Sequence, residues 1–149
     1  MNLTSFSFPT PTLYGAGAIS ELASRCQRLS IRHPLVVTDG GLVNTATFRA
    51  VAEALGAAGK DRDWFVYSGV HPNPVEQDVR EAAQSYRDHG CDGVIALGGG
   101  SPLDVGKAAR LLVKRPGFDF AKFYEAYGAA PVVNNPKPAP AKPAAAATK

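Results

Sequence analysis

Gly98-Gly99-Gly100-Ser101-Pro102-Leu103-Asp104-Val105-Gly106-Lys107 is the stretch on which the fold of this chain turns. A short apolar run, Val94-Ile95-Ala96-Leu97, comes just before it. Just after it, Val105, Ala108, Ala109 and Leu112 recur at helical spacing. The glycines therefore sit where a buried strand turns into a helix. Without a Cβ, their backbone can take positive φ and lie close against a ligand. Ser101 is expected to cap the helix, Pro102 to fit its first turn, and Asp104 to complete a capping box. The N–H groups left free there, with the helix dipole behind them, make an anion site. A phosphate is the natural occupant, and a well-capped structural turn is the bland alternative.

Two common phosphate motifs fail on these residues. A P-loop needs glycine at 101 and a hydroxyl at 108, where the chain has Ser101 and Ala108. The Rossmann fingerprint needs glycine at 103, where the chain has Leu103, and belongs after a first strand.

Working outward, the same strand-then-helix text recurs upstream. Residues 6–15 form an extended opening segment with two prolines. Ile19, Leu22, Ala23 and Cys26 mark a first amphipathic helix. Pro34-Leu35-Val36-Val37-Thr38 is a short apolar strand ended by Asp39-Gly40-Gly41. Phe48, Val51, Ala52 and Leu55 mark a second helix, Trp64-Phe65-Val66-Tyr67 a second strand, and Val75, Val79, Ala82, Ala83 and Tyr86 a third helix. Strands separated by helices at this spacing read as βαβ units, and continuous apolar runs suit parallel strands covered on both faces. The expectation is an α/β fold: a Rossmann-like parallel sheet with flanking helices. Right-handed crossovers put every strand's C-terminal end on one edge, where open α/β sheets bind ligands. That edge would carry Asp39, residues 69–74 and residues 98–103.

Asp39 ends the first long strand. A carboxylate there accepts hydrogen bonds from an adenosine ribose and repels a 2′-phosphate, which favours NAD over NADP; the alternative is an N-cap for the next helix. Asn73 stands between two prolines in a stiffened loop, where its amide can reach a dinucleotide or simply serve a rigid turn. His71 beside it reads as an exposed loop histidine. Gly106 is expected to allow close helix–strand packing, and Lys107 to offset the charge of Asp104.

Gly-Gly-Gly-Ser-Pro-x-Asp-x-x-Lys, with Pro72-Asn73-Pro74, Thr38-Asp39, Phe8-Pro9-Thr10 and Tyr14-Gly15-Ala16-Gly17, resembles the iron-containing (group III) alcohol dehydrogenase family. The similarity covers roughly residues 5 to 125. It implies a dehydroquinate synthase-like N-terminal domain and reversible hydride transfer between an alcohol or aldehyde and NAD. It also implies that Asp39 and Asn73 contact the cofactor, and that Gly99, Gly100, Ser101, Pro102 and Leu103 contact its pyrophosphate. Related metal-dependent enzymes of phosphorylated substrates share the architecture, but Pro102 in its context fits the alcohol dehydrogenases better. In that family a second, helical domain holds iron, or another divalent metal, through one Asp and three His. Here His33, His71 and His89 show no metal-ligand spacing. No catalytic or metal-ligating residue is therefore assigned. The chain is expected to bind NAD and to catalyse little or nothing alone. The alternatives are a non-catalytic nucleotide-binding module and a truncated remnant.

The chain has 149 residues, 45% of them hydrophobic, enough for one domain with a core. After about residue 127 the text changes to Pro, Ala and Lys. The expected division is a dinucleotide-binding domain over 1–127 and a disordered tail over 128–149, which suggests truncation, a frameshift or an engineered end. The tail's Lys137, Lys142 and Lys149 account for the net charge of +3, leaving 13 basic and 13 acidic residues in 1–127. That balance gives no case for nucleic acid. No apolar run approaches the roughly 20 residues of a membrane helix, and no secretory signal opens the chain. Cys26 and Cys91 are isolated and read as free thiols in a cytoplasmic protein. A homodimer is a further expectation carried by the resemblance.

Overall fold

A computed structural model describes residues 4–7, 10–56 and 63–122. The chain divides into two compact units, Met1–Phe118 and Asp119–Lys149. In the second unit only residues 119–122 are described. The expected tail over 128–149, and Phe123 and Tyr124, lie outside the described residues.

In the first unit β1 (Thr4–Ser7) pairs antiparallel with β2 (Pro11–Tyr14), so the opening segment is a strand pair rather than a single extended run. The first helix is a 3₁₀ turn, Ala18–Glu21, that continues as α1 (Leu22–Arg28). Then β3 (Pro34–Val37), α2 (Ala46–Gly56), β4 (Phe65–Tyr67), α3 (Glu76–Asp88), β5 (Gly93–Ala96) and α4 (Gly100–Lys114) alternate, as the spacing predicts. One expected core position is overturned. Val75 is the N-cap of α3, extended and exposed, because the helix starts only at Glu76, with the Asp78 carboxylate reaching back to accept from Val75 N–H.

The three strands form a parallel sheet in the order β4-β3-β5. The fold is α/β. As the central strand, β3 is covered on both faces, and Leu35, Val36 and Val37 are fully buried. Val36 packs with Cys26 of α1 and with Val51 and Leu55 of α2. Leu35 and Val37 point to the opposite face, where α3 and α4 pack on β3 and on each other. Each such side chain contributes about 1.5–3 kcal/mol through its burial. A continuous apolar run is therefore required at β3, and an alternating one would leave a polar side chain in a core.

Register is pinned at the strand starts. The Asp92 carboxylate accepts from the backbone N–H groups of Arg32 and His33 at 2.7 and 2.8 Å, tying the chain before β5 to the chain before β3. A Cβ at Gly93 would lie 2.5 Å from the Ile31 side chain, so only glycine lets these segments meet. Farther along, a Cβ at Gly106 would lie 3.0 Å from that of Ala96, so α4 approaches β5 closely through this glycine. With starts and helix fixed, the three strand ends emerge side by side.

Candidate functional site

The strand ends open onto one cleft of about 510 Å³, lined by Asp39, Gly40 and Gly41 after β3, by Val70, His71 and Pro72 after β4, and by Gly99, Gly100, Ser101 and Pro102 after β5. This cleft gathers the polar groups that the strand-edge rule for open α/β sheets anticipates. Backbone bonds hold the edge together: Thr38 N–H donates to the Tyr67 carbonyl at 2.9 Å, and Leu97 N–H to that of Val37 at 2.9 Å.

The glycine turn differs from expectation in one instructive way. Ser101 is not the N-cap. Gly99 takes that position in extended conformation, α4 starts at Gly100, and no side chain caps it. Ser101 is the second helical residue and Pro102 the third, where a missing N–H costs nothing. Asp104 does not form a capping box; it faces Lys107 at 3.6 Å, with both side chains well exposed. The helix begins early because Gly98, at φ +140°, turns the chain sharply as it leaves the strand. The first-turn N–H groups are thus freer than a capped helix would leave them, and they line the cleft.

The three glycines have separate reasons. A Cβ at Gly98 would lie 2.8 Å from Pro102 Cγ and 3.0 Å from Leu42 Cδ1, so the fold itself demands glycine. Gly99 and Gly100 have no protein atom within 4 Å of an added Cβ, and neither has positive φ. The fold does not require glycine at either position. A ligand lying on the backbone would.

Asp39 is half-buried. Its Oδ1 accepts from the N–H groups of Gly41 and Leu42 at 3.0 and 3.1 Å, closing the turn after β3. It does not cap α2; Thr45 Oγ1 does, accepting from Phe48 N–H at 3.3 Å. One carboxylate oxygen of Asp39 is therefore committed locally, and Oδ2 has no partner among the described residues. Next to it, the buried Thr38 has an Oγ1 without a hydrogen-bond partner. Such a group is uncommon in a folded protein and fits a site completed by a ligand or an ordered water.

Asn73 adopts φ +56°, a left-handed conformation that asparagine tolerates, and is exposed. It does not line the cleft, and neither does Leu103, which is exposed on α4. His71 and Pro72 line it instead. His71 Nδ1 lies 2.7 Å from Asp78 Oδ1, while Asp78 Oδ2 accepts from Val75 N–H at 3.1 Å. Asp78 is only 1% exposed, its partner His71 73%. The hydrogen bond and charge of Asp78 raise the His71 pKa above its ordinary value. Burial pushes the Asp78 carboxyl up, but the bonds from His71 and Val75 outweigh it and hold the pKa below the ordinary carboxylate value. Sequence reasoning missed this pair. Its signal was an acid four residues after Pro74 and three after the N-cap Val75, the position that reaches back to a helix start.

The sequence profile of the iron-containing alcohol dehydrogenases matches residues 9–148. The chain belongs to the iron-containing alcohol dehydrogenase family. Among members of this family, the 4-hydroxybutyrate dehydrogenase of Cupriavidus necator is 40% identical over 101 residues, 68% of this chain and 25% of that protein. The NAD-dependent methanol dehydrogenase of Bacillus methanolicus is 30% identical over 115 residues, 77% of this chain and 30% of that protein. A sulfoacetaldehyde reductase from Bifidobacterium kashiwanohense, solved in complex with NAD+, superposes with a TM-score of 0.63 at 25% identity, covering 73% of this chain and 28% of that one. The chain spans about a quarter to a third of the length of the relatives it matches, 25% and 30% for the two dehydrogenases.

The residues present fit a dinucleotide: open space over Gly99 and Gly100, an uncapped helix start and an Asp39 oxygen without a partner among the described residues. They do not fit the family's metal. Among the described residues no group of three or more His, Cys, Asp or Glu could hold an ion. His71 is tied to Asp78, and His89 bonds the Ser85 carbonyl at 2.8 Å. No helix among the described residues is long and apolar enough to cross a membrane.

Proposed function

We propose that this chain supplies the NAD-binding half of an alcohol or aldehyde oxidoreductase. The single observation that carries the proposal is the convergence of three strand ends on one cleft whose floor is an uncapped helix start beneath two glycines that the fold does not need. The first-turn N–H groups of α4 and the Ser101 hydroxyl would hold the pyrophosphate. Asp39 would accept from the adenosine ribose and disfavour a 2′-phosphate. When bound, NAD accepts a hydride from an alcohol or, as NADH, returns one to a carbonyl. The chain's own residues bind and orient the cofactor; no step that polarises the substrate oxygen is assigned to them.

The rest of the proposal is finer. Residues 1–127 form the cofactor domain and 128–149 a tail. The chain is cytoplasmic, as the free buried thiol of Cys91 favours. Two copies associate as a homodimer, which light scattering tests. Asn73, though outside the cleft lining, and Leu103 remain cofactor contacts by family likeness, within reach of a ligand larger than the cleft.

Titration of the purified chain into NADH, followed by nicotinamide fluorescence with NADPH in parallel, tests the cofactor claim. Saturable NADH binding, weaker NADPH binding, and a roughly tenfold loss for NADH in Asp39→Ala are expected, the scale of a charge-assisted hydrogen bond. A folded, monodisperse chain that leaves NADH fluorescence unchanged sinks it.

A further inference from the structure

The cleft has two flanks that favour negative charge, and the cofactor reading uses only one. The helix start of α4 lies at the β5 end. His71 lies at the β4 end, and Asp39 stands between them at β3. With neighbouring strands about 4.8 Å apart, the outer strand ends are roughly 10 Å from each other. Among the described residues that line the cleft, His71 alone carries a basic side chain. We propose that His71 is a second anion contact of this cleft, placed by Asp78, and that it sets how strongly the site rejects a dinucleotide bearing a ribose phosphate. The proposal rests on the dinucleotide reading above.

The geometry is specific. Asp78 fixes Nδ1, so the exposed imidazole keeps its other nitrogen, Nε2, for an outside partner. The carboxylate is itself fixed by Val75 N–H and by its place in the first turn of α3, so it acts as a positioning residue. Pro72 and Pro74 stiffen the loop around this contact. A pyrophosphate over Gly99 and Gly100 and a ribose on Asp39 leave the β4 flank for what the ribose carries next. For NADPH that includes the 2′-phosphate. Asp39 repels that group, and an imidazolium at His71 offsets the repulsion. The charged groups that face His71 are Asp78 and Glu81 of α3, with Asp39 across the cleft; Glu81 accepts from the Tyr67 hydroxyl of β4. Asp78 and Glu81 favour the protonated ring.

The test is the ratio of NADPH to NADH dissociation constants for the full chain and for His71→Gln, measured from pH 6 to 9. The 2′-phosphate titrates near pH 6, but it does so against both proteins, so the difference between them isolates His71. At pH 6 the wild-type ratio should be about two- to fivefold smaller than that of His71→Gln, the range for an exposed ion pair. The two ratios should converge as pH rises through the raised pKa of the ring. In Asp78→Asn the His71 ring, followed by proton NMR, should titrate at lower pH, and convergence should move down with it. Equal ratios at pH 6, or a gap that persists unchanged to pH 9, overturn the proposal while leaving NADH binding intact. Failure of the wild-type chain to bind NADH at all overturns the cofactor reading and this proposal together.

Discussion

The turn at 98–102 and the stretch 71–78, a loop running into the first turn of α3, face each other across the same cleft and are built by opposite means. The first is backbone. Its shape comes from Gly98 at φ +140° and its chemistry from N–H groups that no side chain caps. The second is side chain. One buried carboxylate ties a histidine and the N–H of Val75 and so closes a loop stiffened by two prolines. A backbone site offers fixed partial charge that pH does not change. A side-chain site offers a full charge that pH does change. Together they give the cleft one permanent and one adjustable attraction for anions.

The sharpest way to break this contrast is at Gly98. Gly98→Val places a branched side chain where even a Cβ meets Pro102 and Leu42, at a φ that β-branched residues do not adopt. Backbone strain of about 1–3 kcal/mol and overpacking of a similar size, about 1–3 kcal/mol, should both appear in urea denaturation. Gly99→Ala should leave stability within about 0.5 kcal/mol, because nothing lies near the new methyl. It should nevertheless weaken NADH binding by roughly tenfold, the loss of a charge-assisted contact. Equal stability losses at the two glycines would mean that the turn is structural throughout.

Removing the side-chain tie comes next. Asp78→Ala strips the acceptor from Val75 N–H and from His71, and should lower stability by about 1–3 kcal/mol, the scale of hydrogen bonds to a charged group. Urea denaturation reads it, and an unchanged midpoint would show that the prolines alone hold the loop.

The same division decides what could be read from sequence. The sheet, the helices and the location of the cleft follow from local periodicity, because Leu35, Val36 and Val37 can be uninterrupted only if helices cover both faces. The need for glycine at 98 was visible as a Gly run after a strand. Which residue would cap α4 was not: Ser101 is a better cap than Gly99 by propensity, yet the tight turn at Gly98 starts the helix before Ser101 arrives. Asp39 looked like either a ribose ligand or a helix cap. It closes its own turn with one oxygen, and Thr45 takes the cap. His71 and Asp78 are seven residues apart and on different elements, so their pairing depends on the loop's path, which composition does not encode. Its exposure made His71 look idle, although exposure into a cleft is what a ligand contact requires.

The smallest effect tests whether the His71–Asp78 tie is ionic. The folded pKa of His71 lies above the ordinary 6.5, so its contribution to stability is complete below 6.5 and is lost as pH rises through the raised value. The folded pKa of Asp78 lies below the ordinary 3.8, so its contribution is present above 3.8 and is lost as pH falls through the depressed value. Between those limits both groups are charged and the tie is whole. The thermal midpoint should therefore fall by about 1–2 °C more in wild type than in His71→Gln as pH rises from 6 to 9, the scale of an exposed pair in a domain of this size. High salt should shrink that difference, because one partner is open to water. A wild-type midpoint that follows that of His71→Gln across the whole range would identify the tie as a bond from a neutral imidazole, and the adjustable flank of the cleft would then be as fixed as the glycine turn opposite.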